Sequence, residues 1–458
     1  MLGKGDGLTM RATILNGSQV HDSVGARVHT VLAAQLEAQG WQVEHFALCN
    51  QKIGNCAGDF FCFIRTPGVC NINDDNRLIA ESLVNCDLMI YLTPVTFGGF
   101  SSVLKSMVDH QIQNISPFFA RVSGETHHAK RYKKNPDLLV VGWMEENDEH
   151  SELVFRHLVQ RIALNWHSKT WIADVVLANQ SEVEMRASMD QHLLDLRDHK
   201  SSLLVVQMGN GGQLVQNSRS GVFWHGMKED HQEFTVQRAL LLVGSPKTRK
   251  STSHSLGGYL FDQLAVRSVH TEIIYLHTVL RNTQKMQALL DAVEAADLVT
   301  LAFPLYCDSL PAPVIDALER IASHQQGRGW SQRKLFTAVA NCGFPEAYQC
   351  DTALAICEIF ARKAGFTWAG SLALGGGGMI NGFPLAEGGG KTIRIRQALD
   401  LAAEALARGD DIPRKAREGL AQPIIPHWMY WLITWMRWNQ DAKSYGARGS
   451  LKRQPYAS

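Results

Sequence analysis

Apolar residues along this chain follow two alternating rhythms. Short runs with little polar interruption, such as Ala12-Thr13-Ile14-Leu15, give way to segments where apolar side chains recur every three or four positions, such as Val28, Val31, Leu32 and Leu36. The first rhythm predicts strands buried on both faces, and the second predicts helices with one apolar stripe. The alternation is written twice. Arg11–Leu15 runs into Asn16-Gly17-Ser18 and a helix; Arg238-Ala239-Leu240-Leu241-Leu242-Val243 runs into Gly244-Ser245 and a helix carrying Leu256, Leu260 and Leu264. Cys86-Asp87-Leu88-Met89-Ile90-Tyr91-Leu92-Thr93-Pro94 is matched by Ala296-Asp297-Leu298-Val299-Thr300-Leu301-Ala302-Phe303-Pro304. Leu138–Val141 and Leu335–Val339 form a third strand pair, helices follow at about 152–165 and 351–364, and further strands begin after Trp171 and Trp368. Strands alternating with helices at this spacing imply parallel βαβ units with helices on both sheet faces, hence two doubly wound α/β domains in tandem.

A chain of 458 residues is too long for one ordinary core. The repeat divides it into a polar, disordered N-terminus (1–9), a first domain (10–200) with a Cys-rich insertion (49–75), a linker or crossover (201–234), a second domain (235–412) and a tail (413–458). Within the linker, Leu203–Val206 is a possible strand, followed by Met208-Gly-Asn-Gly-Gly-Gln213. Lys+Arg 45 against Asp+Glu 44 leaves a net charge of +1, which argues against nucleic acid as a partner. Met1–Thr9 lacks the charged-then-apolar order of a signal peptide, and no apolar run reaches the length of a membrane span. Nine unevenly placed cysteines do not read as a disulfide scaffold, so a reducing cytoplasm is the expected location.

In doubly wound sheets, ligands sit at the carboxyl ends of the strands. The loop after the first strand of the second repeat reads Gly244-Ser245-Pro246-Lys247-Thr248-Arg249-Lys250-Ser251-Thr252-Ser253 and opens a helix. Backbone N–H groups, hydroxyls on Ser245, Ser251 and Ser253, the charge of Lys247 and a helix N-terminus are the donors a phosphate needs, with Gly244 expected to allow a tight turn. The alternative is an ordinary Ser-rich helix cap; the position between a buried strand and a helix favours phosphate. In the first repeat, Gly17-Ser18-Gln19-Val20-His21-Asp22-Ser23 lacks Lys and Arg, and Asp22 puts a carboxylate where a phosphate would sit.

Three segments together, Gly244–Ser253, Pro304-Leu305-Tyr306-Cys307-Asp308-Ser309-Leu310-Pro311 and Asn341-Cys342-Gly343-Phe344-Pro345-Glu346, resemble the cofactor loops of NAD(P)H-dependent FMN reductases and related multimeric flavodoxins. The resemblance covers most of the chain as two copies. It implies two tandem flavodoxin-like sheets of order 2-1-3-4-5, with FMN held non-covalently by the second domain. Its phosphate would lie against Ser245, Lys247, Ser251, Thr252 and Ser253. Its ring would lie against Pro304, Leu305, Tyr306, Cys307, Asp308, Ser309 and Leu310 and against Asn341, Cys342, Gly343 and Phe344. Small residues and backbone amides there permit close approach of a flat ring, and Tyr306 either stacks on it or is a half-buried aromatic. NADH or NADPH would be a transient hydride donor, and the hydride chemistry belongs to the cofactor, so no catalytic acid or base is named. In the first repeat, Thr93-Pro94-Val95-Thr96-Phe97-Gly98-Gly99 keeps the second loop, but Gly142-Trp143-Met144-Glu145-Glu146 departs from the third.

Cys56-Ala-Gly-Asp59-Phe-Phe-Cys62, with Cys70 further on, resembles the Cys-rich segment of iron–sulfur flavoproteins, with Asp59 in place of a fourth thiolate. A cluster wants four thiolates, so none is expected; zinc through Cys56, Cys62, Cys70 and Asp59 is no better supported than the cluster, and buried free thiols are the favoured reading. In the tail, Trp428, Trp431, Leu432, Trp435 and Trp438 share a helical stripe, read as a helix docked across the domains or at a homodimer contact. Lys443, Arg448, Lys452 and Arg453 read as a solvated basic end.

These readings converge on a flavin-dependent oxidoreductase in which NAD(P)H reduces FMN and the flavin reduces free flavin, a quinone or another small acceptor, the first domain completing the site as a pseudo-symmetric partner. The alternatives are a flavodoxin-type electron carrier, against which the near-neutral charge speaks, and an interaction scaffold with decayed flavin sites.

Overall fold

The computed structural model describes residues 9–202, 206–208, 214–216, 234–280 and 282–457. Contacts divide the chain into two units. One runs to Thr96 and from Phe100 to Leu204, with Thr434–Ser458; the other comprises Phe97–Gly99 and Val205–Ile433.

Unit 1 is built on strands β1 (Arg11–Asn16), β2 (Gln42–Ala47), β3 (Leu88–Pro94), β6 (Asp137–Met144) and β7 (Trp171–Leu177), with β4 (Ile115–Val122) and β5 (Glu125–Lys130) forming a separate antiparallel hairpin. The sheet order is β2-β1-β3-β6-β7, all parallel. Its helices are α1 (Ser23–Ala38), the single turn α2 (Phe61–Ile64), α3 (Asn76–Asn85), α4 (Ser102–His110), α5 (Glu149–Trp166) and α6 (Glu182–Arg197). At the start of the long segment of unit 2, β8 (Val206–Met208) and β9 (Leu214–Gln216) pair antiparallel, and the expected strand Leu203–Val206 lies mostly outside the described residues.

Unit 2 repeats the plan with β10 (Arg238–Val243), β11 (His270–Tyr275), β12 (Leu298–Pro304), β13 (Leu335–Asn341) and β14 (Thr367–Leu374) in the order β11-β10-β12-β13-β14, again all parallel. Counting only sheet strands, both orders are 2-1-3-4-5, the doubly wound flavodoxin-like arrangement. Its helices are α7 (Thr252–Val266), α8 (Thr283–Ala295), α9 (Ala312–Gln325), α10 (Asp351–Lys363), α11 (Ile393–Ala407), α12 (Arg414–Ala421) and α13 (His427–Ser444), the last crossing the division between units.

The apolar pattern explains the layering. The central strands β3, β12 and β13 are buried almost end to end, because helices cover both sheet faces. β2 and β11 lie at sheet edges and are mostly exposed or half-buried. In unit 2, Leu241 and Val243 of β10 pack with Leu256, Leu260 and Leu264 of α7 and with Leu399, Ala402 and Leu406 of α11.

The tryptophans of the tail do not share one environment: Trp428 and Trp435 are 67% and 51% exposed, whereas Trp438 packs on Phe60 and Phe63. A helix turns about 100° per residue, so a seven-residue stripe is wide enough to straddle inner and outer faces. Lys443, Arg448, Lys452 and Arg453 are exposed, as expected of a solvated basic end, while the backbone there is tied down. Buried Arg131 donates to Leu451 O and Arg453 O, Asn85 donates to Tyr456 O, and Tyr456 Oη donates to Gln113 Oε1.

Candidate functional site

The register of unit 2 brings three strand ends to one level. Val243 pairs with Ala302, and Pro304 pairs with Asn341, so the loops leaving β10, β12 and β13 open side by side.

The first loop starts at Gly244, whose N–H continues the sheet by donating to Ala302 O. Gly244 makes its turn without a left-handed backbone conformation. A Cβ there would stand 2.5 Å from Val314 Cγ2, so the constraint is close packing against α9. Ser251 caps α7: its hydroxyl donates to Thr248 O (2.6 Å) and accepts from His254 N (3.1 Å). That hydroxyl is committed to the helix. Buried Ser245 and Ser253 differ. Ser245 Oγ accepts from Lys247 N, and Ser253 Oγ accepts from Asn341 Nδ2 (2.8 Å), which leaves the hydrogen of each hydroxyl uncommitted among the described residues. The N–H groups of Thr252 and Ser253 open the helix and have no acceptor among the described residues. Lys247, Arg249 and Lys250 add cationic charge. Burial, helped by Arg249, holds His254 below the ordinary imidazole value.

In the second loop, Tyr306 N donates to Ser309 O and Ser309 N to Tyr306 O, closing a two-residue turn. Cys307 and Asp308 at its tip have φ of +46° and +54°. Neither is glycine, and two successive left-handed residues are a real conformational cost. The equivalent turn after β3 places Phe97 and Gly98 in the same region. Pro304, Leu305, Tyr306 and Cys307 are half-buried; Asp308, Ser309 and Leu310 are buried. Ser309 Oγ is buried without a hydrogen-bond partner among the described residues.

The third loop is fixed through its carbonyls. Gly377 N donates to Cys342 O (2.8 Å), Tyr430 Oη to Gly343 O (2.7 Å) and Gly376 N to Phe344 O (2.6 Å). Asn341 joins all three loops: its amide donates to Ser253 Oγ and to Phe303 O (3.0 Å), and its carbonyl accepts from Leu305 N. Gly343 is exposed, and a Cβ built on it would meet nothing within 4 Å, so the loop is open on that side. The neighbouring Cys342 thiol, together with burial, pushes the thiol of Cys350 well above its usual range.

The glycine-rich turn after β14 was not singled out in the sequence, although four glycines at a strand's carboxyl end are the available signal. Gly375–Gly378 closes the site from the far side: Thr252 Oγ1 donates to Gly377 O, and a Cβ on Gly375 would collide with Pro345 O at 2.3 Å. Tyr430, which lies in the tail, was also missed as a site residue.

Unit 1 uses the same geometry differently. Pro94 pairs with Trp143 as Pro304 pairs with Asn341, so Trp143 stands in the asparagine's position. Its indole Nε1 donates to Asp22 Oδ2 (3.0 Å), and Asp22 also accepts from Gly25 N as the cap of α1. Ser18 Oγ turns back onto Asn16 Oδ1. A Cβ on Gly25 would lie 2.7 Å from the Trp143 ring. The helix terminus that could receive an anion is thus filled by the chain's own carboxylate and indole.

In the Cys-rich segment, burial raises Cys56 to about 12 and drives Cys62 well above its usual value, so both thiols stay protonated, and Cys70 Sγ lies 3.4 Å from His110 Nδ1. Among the described residues, no group of three or more His, Cys, Asp or Glu side chains could hold a metal ion. No helix among the described residues is long and apolar enough to cross a membrane.

Two parallel five-stranded sheets of order 2-1-3-4-5, one with three loops converging on an open helix N-terminus, define a tandem flavodoxin-like protein. The family model for NADPH-dependent FMN reductase matches residues 10–131 and 237–353, once in each unit and over half of the chain, and the chain belongs to that family. It is therefore a flavin oxidoreductase by family, with flavin and NAD(P)H as its redox partners. No curated protein matches the chain. Solved structures similar to it include an NADH:FMN oxidoreductase in its apo form (19% identity, 40% of this chain and 94% of that one, TM-score 0.29). An NAD(P)H:quinone oxidoreductase from Methanothermobacter marburgensis is 13% identical over 38% of this chain and 96% of its own, with a TM-score of 0.29. An FMN-dependent NADH-azoreductase from Bacillus anthracis, in complex with FMN, is 13% identical over 37% and 99%, with a TM-score of 0.28.

Proposed function

We propose that the domain spanning 235–412 binds FMN non-covalently and that the protein uses NAD(P)H to reduce a small acceptor such as free flavin or a quinone. FMN, when bound, would supply the redox chemistry, as an acceptor of hydride from the nicotinamide and a donor of two electrons to the final acceptor. What the chain supplies is binding and orientation. The hydroxyls of Ser245 and Ser253, the N–H groups of Thr252 and Ser253 and the charge of Lys247 would hold the phosphate. Ser251 keeps α7 capped so that those N–H groups stay presented, and Thr252 ties the loop to Gly377. Pro304–Leu310 and Asn341–Phe344 would flank the ring, with Tyr306 and the open side of Gly343 leaving room for it.

One observation carries this reading: buried hydroxyls with spare hydrogens stand beside an open helix N-terminus in unit 2, whereas the same place in unit 1 is closed by Asp22 and Trp143. The test is to strip the purified chain of ligand, titrate it with FMN while following flavin fluorescence, and then add NADH or NADPH without oxygen. A yellow protein bleached by nicotinamide is expected, and Ser245→Ala with Ser253→Ala should weaken FMN binding by roughly a hundredfold, about 1.4 kcal/mol for each hydroxyl. A chain that takes up no FMN, or a double variant that binds it as well as the parent, refutes the reading.

A further inference from the structure

Of the three carbonyls in the third loop, two are held by backbone N–H groups of the Gly375–Gly378 turn, and the middle one is held by a side chain. Tyr430 lies beyond the sheet and its covering helices, in the first turn of α13, and is 6% exposed. Its hydroxyl donates to Gly343 O, and its ring comes within 3.3 Å of where a Cβ on Gly376 would sit. His427 Nδ1, at the first residue of α13, stands 3.7 Å from Glu346 Oε1, which brings the same turn beside the third loop at a second point.

The Gly343–Phe344 peptide needs such a fastening. Glycine has little intrinsic preference between backbone conformations, and the open space around Gly343 offers no packing to resist rotation of the peptide. In a trans peptide the C=O and N–H point in opposite directions. With Gly343 O held toward α13, the N–H of Phe344 is turned the other way. An N–H turned toward an electron-rich ring stabilises its reduced form; a carbonyl in the same place opposes it.

Resting on the reading of unit 2 as the FMN domain, we propose that Tyr430 is a positioning residue whose hydroxyl sets the orientation of the Gly343–Phe344 peptide and thereby favours reduced over oxidised flavin. Tyr430→Phe tests this, because it removes one oxygen and keeps the ring on Gly376, so the packing of α13 on the loop is preserved. Affinity for oxidised FMN should change by less than about threefold, whereas affinity for reduced FMN relative to oxidised should fall about tenfold, which for a two-electron couple is a midpoint potential lower by about 30 mV. The Phe344 amide should exchange its hydrogen faster in the variant while thermal stability stays within a few degrees. A parent chain that takes up no FMN sinks the site assignment and this role with it. A parent that binds FMN, with a variant whose potential is unchanged, overturns only the role of Tyr430.

Discussion

Asn341 is the side chain on which the three loops of unit 2 depend most. Replacing it with alanine removes two buried amide hydrogen bonds, leaving Ser253 Oγ without its donor and Phe303 O with only the donor that the β12–β13 ladder provides. A net contribution near 1 kcal/mol per bond gives about 2 kcal/mol. That difference corresponds to roughly thirtyfold in a local opening equilibrium. Native-state hydrogen exchange reads it directly: amides at the carboxyl end of β13 and the start of α7 should lose that protection, while those of unit 1 do not move. Asn341→Asp should weaken FMN binding more than Asn341→Ala, because it turns a donor into a second negative charge beside the phosphate loop. Asn341→Trp copies the residue of unit 1 and should abolish flavin uptake. Protection lowered by less than about 1 kcal/mol in Asn341→Ala, or a tryptophan variant that still turns yellow, would refute the idea that this amide organises the site.

The left-handed turn at Cys307 and Asp308 should accept Cys307→Asn with Asp308→Gly, raising the stability of unit 2 by about 1–2 kcal/mol; an unchanged or lower thermal midpoint counts against the strain assigned there. Burial beneath Phe63 and Phe119 lowers His128 to about 4, below the 6.5 expected of it unfolded. The unfolded chain therefore binds the proton first. Unit 1 keeps this contribution above pH 6.5 and loses it as the pH falls toward 4, about 1–2 kcal/mol between pH 7 and 5 for a partly exposed ring. His128→Phe should flatten that dependence in urea titrations at the two pH values, and an equal drop in parent and variant would be contrary evidence. Reconstitution should give one FMN per chain, since Trp143 and Asp22 fill the first unit's terminus; visible absorbance corresponding to two flavins per chain would contradict that assignment.

Both sheets were legible in the sequence because their central strands are buried on two faces and therefore read as unbroken apolar runs, Leu298–Phe303 above all. The repeat made the reading firmer, since Gly17-Ser18 and Gly244-Ser245 follow matching strands. Residues that depend on position after folding were harder to assign. Ser245, Ser251 and Ser253 look alike in sequence, yet Ser251 is consumed by its own helix cap, a distinction made by backbone direction at the start of α7. The β4–β5 hairpin went unread because its apolar and polar positions do not alternate cleanly. Tyr430 lies too far along the chain for any spacing rule to connect it with Gly343. Trp143 could be seen to depart from the third-loop pattern, but only strand register shows that it stands where unit 2 has Asn341.

The two helix starts also have different appetites. The one in unit 1 is satisfied by its own side chains, so that half of the protein should be equally sturdy whether or not coenzyme is plentiful. In unit 2 the matching donors wait for an outside guest, and a guest present at a hundred times its dissociation constant would add about 2.7 kcal/mol to the folded state. Scarcity would therefore be felt first in that half, where a protease added to flavin-starved protein should cut before it nicks the other.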